Sequence, residues 1–253
     1  MDILSNQFAH YDPKVQASNT LIDSAALGRV AALREAIAAG GDPNFMRLDI
    51  SSALAAVSND HIECLRLIVD AGGGGDLPNR MGWTALHEAA VKEDVEFLEV
   101  LLASEFEQNL KPRDRDGATP LHAAISAGRL PAVQSLLRAE PALLDIADRN
   151  NVSPAMLAAS KRNEDVLQYL LELGPDLSVL DLEDKNIMNY VEGWPEGEAM
   201  MEGRNLTANF KQVLPVETSV STESVVTEQK NDGDEAPANP FGLGGMKKIK
   251  RSP

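Results

Sequence analysis

The chain has little of what several fold and function classes require. One cysteine, Cys64, stands in 253 residues. No disulfide forms within such a chain, cysteine-based zinc sites are excluded, and a reducing compartment is indicated. Phe, Trp and Tyr make up 4% of the sequence, too few for the aromatic-rich strands of a typical sandwich. No apolar run approaches the ~20 residues of a membrane span, and the first eleven residues lack the pattern of a secretory signal. Positive charge is scarce as well: 23 Lys and Arg face 39 Asp and Glu, for a net charge of −16. A field of that sign repels phosphates and makes nucleic acid an unlikely partner. The Gly72–Gly75 run has neither the lysine nor the hydroxyl that would follow in a phosphate-binding loop.

What is abundant is alanine and leucine, the composition of closely packed helices, and it is arranged periodically. Gly82-Trp83-Thr84-Ala85-Leu86-His87 is followed by Gly117-Ala118-Thr119-Pro120-Leu121-His122 and then by Asn151-Val152-Ser153-Pro154-Ala155-Met156. Thr84, Thr119 and Ser153 are 35 and 34 residues apart, and a degenerate copy at Ser51-Ser52-Ala53-Leu54 precedes Thr84 by 33. Each hydroxyl sits where a helix N-cap is wanted. Pro120 and Pro154 follow at the first helical position, where the missing N–H is not needed. A short helix to the region of Gly128 and a second helix with Val133, Leu136 and Leu137 at helical spacing complete a unit. Gly40, Gly72 and Gly174 are placed to stop the second helices. A unit of this size cannot bury its apolar faces alone, so the units must stack.

These residues resemble the ankyrin-repeat family. Thr119–His122 is that family's signature, Thr84–His87 differs from it by Ala85, and Asp42-Pro43-Asn44 matches the inter-repeat turn. The resemblance implies an all-α solenoid of helix–turn–helix units with hairpin-like fingertip loops. The expected organisation is a leader or cap over 1–20 and an ankyrin domain over 21–191. Within it lie four full repeats (51–82, 83–117, 118–151, 152–186), a partial one before them (21–50) and a truncated one from Ile187. A C-terminal cap over 192–214 and a disordered tail over 215–253 follow. The glycine run predicts a loose connector between the second and third units. Extra residues predict lengthened loops at Asn109–Arg113 and Pro141–Asp145.

The resemblance implies a structural role near the helix start for His87 and His122. Repetition places equivalent side chains one unit apart rather than in convergence, so no catalytic constellation, metal site or cofactor is expected. The expected function is non-catalytic protein binding by an adaptor or assembly subunit. The rival is an inhibitor, regulator or effector that blocks a partner, or an accessory subunit of a large enzyme complex. Arg47, Arg80, Arg115 and Arg149 recur at spacings of 33, 35 and 34, which predicts a column of guanidinium groups along the fingertips. The column is either a solvated edge or a docking site for an acidic protein surface. Met81 and Trp83 lie beside it. Trp83 is either an exposed anchor or a filler over the glycine run. Lys92 and Lys161 are expected to flank the column on the first helices. A second candidate is the peptide containing Phe241, Lys247, Lys248, Lys250 and Arg251, whose basic end also raises nuclear import beside a cytoplasmic location. The protein is expected to be monomeric alone or a subunit of a hetero-complex.

Overall fold

In the computed structural model, residues 12–104 and 109–202 are described. They form six helix pairs: α1 (Pro13–Ala26) with α2 (Val30–Ala38), α3 (Ser52–Ser58) with α4 (Ile62–Asp70), α5 (Ala85–Val91) with α6 (Glu96–Leu102), α7 (Pro120–Ser126) with α8 (Leu130–Ala139), α9 (Pro154–Ser160) with α10 (Glu164–Glu172), and α11 (Ile187–Val191) with α12 (Pro195–Glu202). A two-residue-per-strand hairpin, β1 (Met46–Arg47) and β2 (Ile50–Ser51), joins the first pair to the second, with Arg47 opposite Ile50.

The first helices stack in one row, α1 on α3 and so on to α11, and the second helices stack in another. Alanine dominates the buried contacts of the first row, as in Ala53, Ala56, Ala85, Ala89, Ala90, Ala124, Ala158 and Ala159. Small side chains let these short helices approach closely. The second row is filled by larger groups, among them Leu65, Leu98, Leu136 and Leu170, all fully buried. Each such leucine contributes about 1.5–3 kcal/mol relative to exposure. Cys64 lies in this core, where burial raises its thiol pKa.

The hydroxyl caps fall where the repeat places them. Ser51 accepts the Leu54 N–H at 3.1 Å, and Ser153 accepts that of Met156 at 3.3 Å. The turn between paired helices needs one left-handed residue. Gly128 (φ 68°) supplies it in the fourth pair, while Asp60 (φ 61°) and Arg162 (φ 51°) take the same conformation without glycine.

At the N-terminal end α1 starts at Pro13 after the Asp12 cap and buries Ala17 and Ser18, so residues 13–20 pack with the first unit. The first unit is therefore a complete helix pair, hidden from pattern reading because it lacks the signature. At the other end α11 and α12 form a last helix pair, with Trp194 and Met201 buried against the core. Finally, the glycine run is not loose. A side chain on Gly73 would meet Ile68, and one on Gly75 would meet Leu86 and Leu101. Asn44 clamps the run from the preceding unit, donating to the Gly72 carbonyl at 2.8 Å and accepting the Gly74 N–H at 2.9 Å. The glycines permit close approach of the backbone rather than movement. The extra length at Pro141–Asp145 is absorbed by a 3-10 turn that buries Leu143.

Candidate functional site

The connectors after the second helices project as fingertips, and four of them are built by one rule. A carboxylate or amide oxygen accepts the backbone N–H groups two and four residues on. Asn79 does this for Met81 and Trp83 at 2.8 and 3.0 Å. Asp114 does it for Asp116 and Ala118, Asp148 for Asn150 and Val152, and Asp181 for Glu183 and Lys185, all at 2.8–2.9 Å. The backbone of each turn closes on itself at both ends, as in Asn79 N–H to the Trp83 carbonyl and Gly82 N–H to the Asn79 carbonyl. The fourth residue must be left-handed: Gly82, Gly117, Asn151 and Asp184 all have φ between 59° and 76°. A side chain on Gly82 would stand 2.6 Å from the Asp114 backbone of the next tip.

Adjacent tips are then tied to one another. The N–H of Arg115 donates to the Met81 carbonyl, that of Arg149 to the Asp116 carbonyl, and that of Leu182 to the Asn150 carbonyl, at 2.9–3.0 Å. The residue after each anchor thus falls in register from the second tip to the fifth. Histidines brace this edge from beneath. His87 Nδ1 accepts the Thr84 N–H at 3.3 Å, which leaves the proton on Nε2 to donate to the Ala118 carbonyl of the next unit at 3.1 Å. His122 accepts the Thr119 N–H at 3.2 Å in the same way. Its Nε2 faces the Val152 carbonyl without reaching full hydrogen-bond geometry. Burial lowers the pKa of both imidazoles and keeps them neutral, with the carbonyl contacts opposing in part.

The side chains expected to bind a partner divide into two groups. Arg115 and Arg149 are exposed and, among the described residues, carry no ion pair. Arg80 is 76% exposed and pairs with Asp49 at 2.6 Å. Met81 is 54% exposed, and Lys161 is exposed at the C-cap of α9. The other group is engaged within the molecule. Arg47 turns back onto Asp23 of α1 with both terminal nitrogens and holds that carboxyl below its usual pKa. Lys92, with 17% of its side chain exposed, reaches Asp60 at 2.6 Å and lies over the Phe97 ring. It is an inter-unit tie rather than a free cation. Trp83 is half-buried, stacks on His87 with ring centroids 4.9 Å apart, and donates to Glu88 at 2.9 Å. It covers its own helix start rather than standing free. The tail residues Phe241, Lys247, Lys248, Lys250 and Arg251 lie outside the described residues.

With the helix pairs and tips established, comparison with known proteins agrees with their geometry. A family model described as ankyrin repeats (3 copies) matches residues 21–112 and 104–181. This chain belongs to the ankyrin-repeat family. The chain is 29% identical over 195 residues to protein phosphatase 1 regulatory subunit 12A of Rattus norvegicus, a match covering 76% of this chain and 18% of the relative. It is 33% identical over 112 residues to neurogenic locus notch homolog protein 1 of Mus musculus, covering 44% of this chain and 4% of that protein. The chain thus spans under a fifth of these relatives' length. The crystal structure of EF0377, an ankyrin repeat protein, superposes with a TM-score of 0.64 at 20% identity, over 73% of this chain and 97% of that one. That likeness concerns the fold.

Ankyrin repeats are protein-interaction modules. Among the described residues no three His, Cys, Asp or Glu side chains form a metal-ligating group, and no helix is long and apolar enough to cross a membrane. Sequence reading missed the exposed leucines at the tips, notably Leu48 and Leu182. It also missed the anchors Asn79, Asp114, Asp148 and Asp181. These stand five residues before each cap at Thr84, Thr119, Ser153 and Asn186, so their spacing was available as a signal.

Proposed function

We propose that this ankyrin-repeat protein is a non-catalytic adaptor or assembly subunit that holds an acidic protein surface along its fingertip edge. The observation that carries this reading is the pair of exposed, unpaired guanidiniums on adjacent tips, Arg115 and Arg149, continued by Arg80. Their backbones are fixed by the tip-to-tip hydrogen bonds, so contact requires ordering of the side chains but not of the loops. Arginine is suited to bidentate capture of carboxylates. Lys92, by contrast, is occupied as an inter-unit tie.

Affinity capture with the full chain, followed by mass spectrometry, is the test. The Arg80→Glu, Arg115→Glu variant is expected to keep its unfolding midpoint, because exposed charges contribute little to folding, and to lose the partner captured by the parent. Full capture by the variant overturns the fingertip assignment. A second reading, a regulator that occupies a partner enzyme's surface, draws support from the similarity to a phosphatase regulatory subunit over 76% of the chain. A regulator changes the captured enzyme's activity on addition; an adaptor leaves it unchanged.

A further inference from the structure

The hairpin β1–β2 turns through two residues, Leu48 (φ 50°) and Asp49 (φ 67°), both left-handed. Such turns favour Asn-Gly, because a Cβ is strained in that conformation. Leu48 therefore holds an unfavourable backbone conformation, and packing does not offset it: the side chain is 82% exposed. Strain kept without an internal contact points to a use outside the molecule. Ile50 of the same hairpin is 44% exposed, and Met81 on the second tip is 54% exposed. The Asp49–Arg80 pair at 2.6 Å joins these two tips. Large apolar side chains thus stand at one end of the fingertip edge. The charged residues within 46–51 and 79–84 are Arg47, Asp49 and Arg80. Arg80 pairs with Asp49 and Arg47 with Asp23, so these tips hold no unpaired charge. The tips at 114–118, 148–152 and 181–185 instead carry six carboxylates and three cations.

We propose that the first two tips dock the apolar face of an amphipathic helix from a different protein, with large apolar residues at i, i+3 and i+7. The first two of these cover Leu48 and Ile50, and the third reaches Met81. Spacing selects a helix over a strand. Neighbouring tips stand about 10 Å apart where packed helices set the step. Same-face residues of a strand recur at about 6.6 and 13 Å. A helix returns to nearly the same face after seven residues, about 10.5 Å. The flexible thioether chain of Met81 takes up the difference. Charge selects the apolar face. A patch whose charges neutralise one another leaves a buried charged occupant without a partner, but not an apolar one. The net charge of −16 opposes a second copy of this chain. The contact uses neither Arg115 nor Arg149, so it stands apart from the fingertip reading given above.

The test titrates the full chain, with its Met and Leu methyl groups isotope-labelled, with synthetic peptides observed by NMR. One peptide carries Leu at i, i+3 and i+7 in a neutral Ala-Gln background. A second has the same composition with the leucines spread round the helix. A third keeps the spacing but has a central proline, which breaks the helix. The first peptide is expected to shift the Leu48 and Met81 methyl signals and to bind at least ~10-fold more tightly than the other two, the effect of burying a large side chain or leaving it exposed. Leu48→Asn and Met81→Ser are each expected to weaken it by about the same factor. Asn suits the left-handed corner, so Leu48→Asn should keep or raise the melting midpoint while losing the peptide. Arg115→Glu is expected to leave peptide affinity unchanged. A fall in the midpoint of Leu48→Asn would show that the leucine serves the fold and overturn its role as an anchor. Equal binding of the first and third peptides would assign the patch to an extended segment. Self-association of the chain that Leu48→Asn abolishes would assign it to a second copy. Either result overturns the helical occupant, and no methyl shift with any peptide overturns the docking patch itself.

Discussion

The first two units and the three that follow reach the same helix-pair geometry with different bonds. In the later units, each tip is closed by an Asp or Asn oxygen and tied to its neighbour by backbone hydrogen bonds, and His87 joins the third unit to the fourth through the Ala118 carbonyl. The first tip is a hairpin whose corner residues, Leu48 (φ 50°) and Asp49 (φ 67°), are both left-handed. No carboxylate closes that corner among the described residues. The hairpin is tied by Arg47 to Asp23, by Asp49 to Arg80, and by the Asn44 clamp on the glycine run. Exposed ion pairs contribute about 0–1 kcal/mol and weaken with salt, whereas buried hydrogen bonds carry a desolvation penalty when broken. The stacking surface therefore sets the shape, and the tips are free to vary in how firmly they are held.

The largest expected effect is at His87. His87→Ala removes a fully buried side chain and leaves the Thr84 N–H and the Ala118 carbonyl without partners, which should cost about 3 kcal/mol. Chemical denaturation checks this. His87→Gln should recover part of the loss, because an amide can both accept and donate. The same imidazoles give a pH signature. Their folded pKa is depressed by burial, while the unfolded chain takes up protons near 6.5. Their contribution is complete above that value and is lost as pH falls below it through the folded pKa. The melting midpoint should therefore drop from pH 7 to pH 5, more steeply for the parent than for the variants. A parent and a His87→Ala profile of equal slope would defeat the assignment.

A smaller contrast comes from exchanging glycine and non-glycine at the two kinds of corner. Gly82→Ala forces a Cβ into a left-handed residue and against the Asp114 backbone, an expected loss of about 2 kcal/mol. Leu48→Gly does the reverse. It relieves the left-handed strain of an L-residue whose side chain is 82% exposed, and should raise stability by up to ~1 kcal/mol. Paired urea titrations decide both, and a loss at Leu48→Gly would mean that the leucine packs in a way its exposure denies. Smallest of all, Asp49→Asn, which keeps a residue suited to the left-handed corner, should cost under ~1 kcal/mol, and that cost should vanish in high salt. A larger, salt-independent cost would show that the first tip is held as firmly as the later ones.

Much of the later half was legible because its local and global preferences agree. A hydroxyl cap, a following proline and a left-handed glycine each mark one position of the repeat, and Thr119 to Gly128 carries all three. The first unit was read only from residue 21 because, although Pro13 and the left-handed Gly28 mark it, it lacks the hydroxyl cap and the Leu-His pair. Asp12 replaces the hydroxyl cap and Ser18 accepts the Asp42 N–H. The internal contacts of Trp83 and Lys92 were not legible for a different reason. Each is of a type often found at binding surfaces, and only their neighbours, His87 with Glu88 and Asp60 with Phe97, show that they are engaged.

By itself the sequence determined the family, the repeat length and the capping of helices α3, α5, α7 and α9, because these depend on residues a few positions apart along one chain. Only the tertiary structure decided that the glycine run is clamped, which arginines remain free, and that Leu182 continues their row. Those outcomes depend on groups about one repeat apart in sequence, such as Asn44 with Gly74 and Arg80 with Asp49. Stacking brings such groups within hydrogen-bonding distance, and the choice of partner is then made by side-chain reach and charge rather than by spacing.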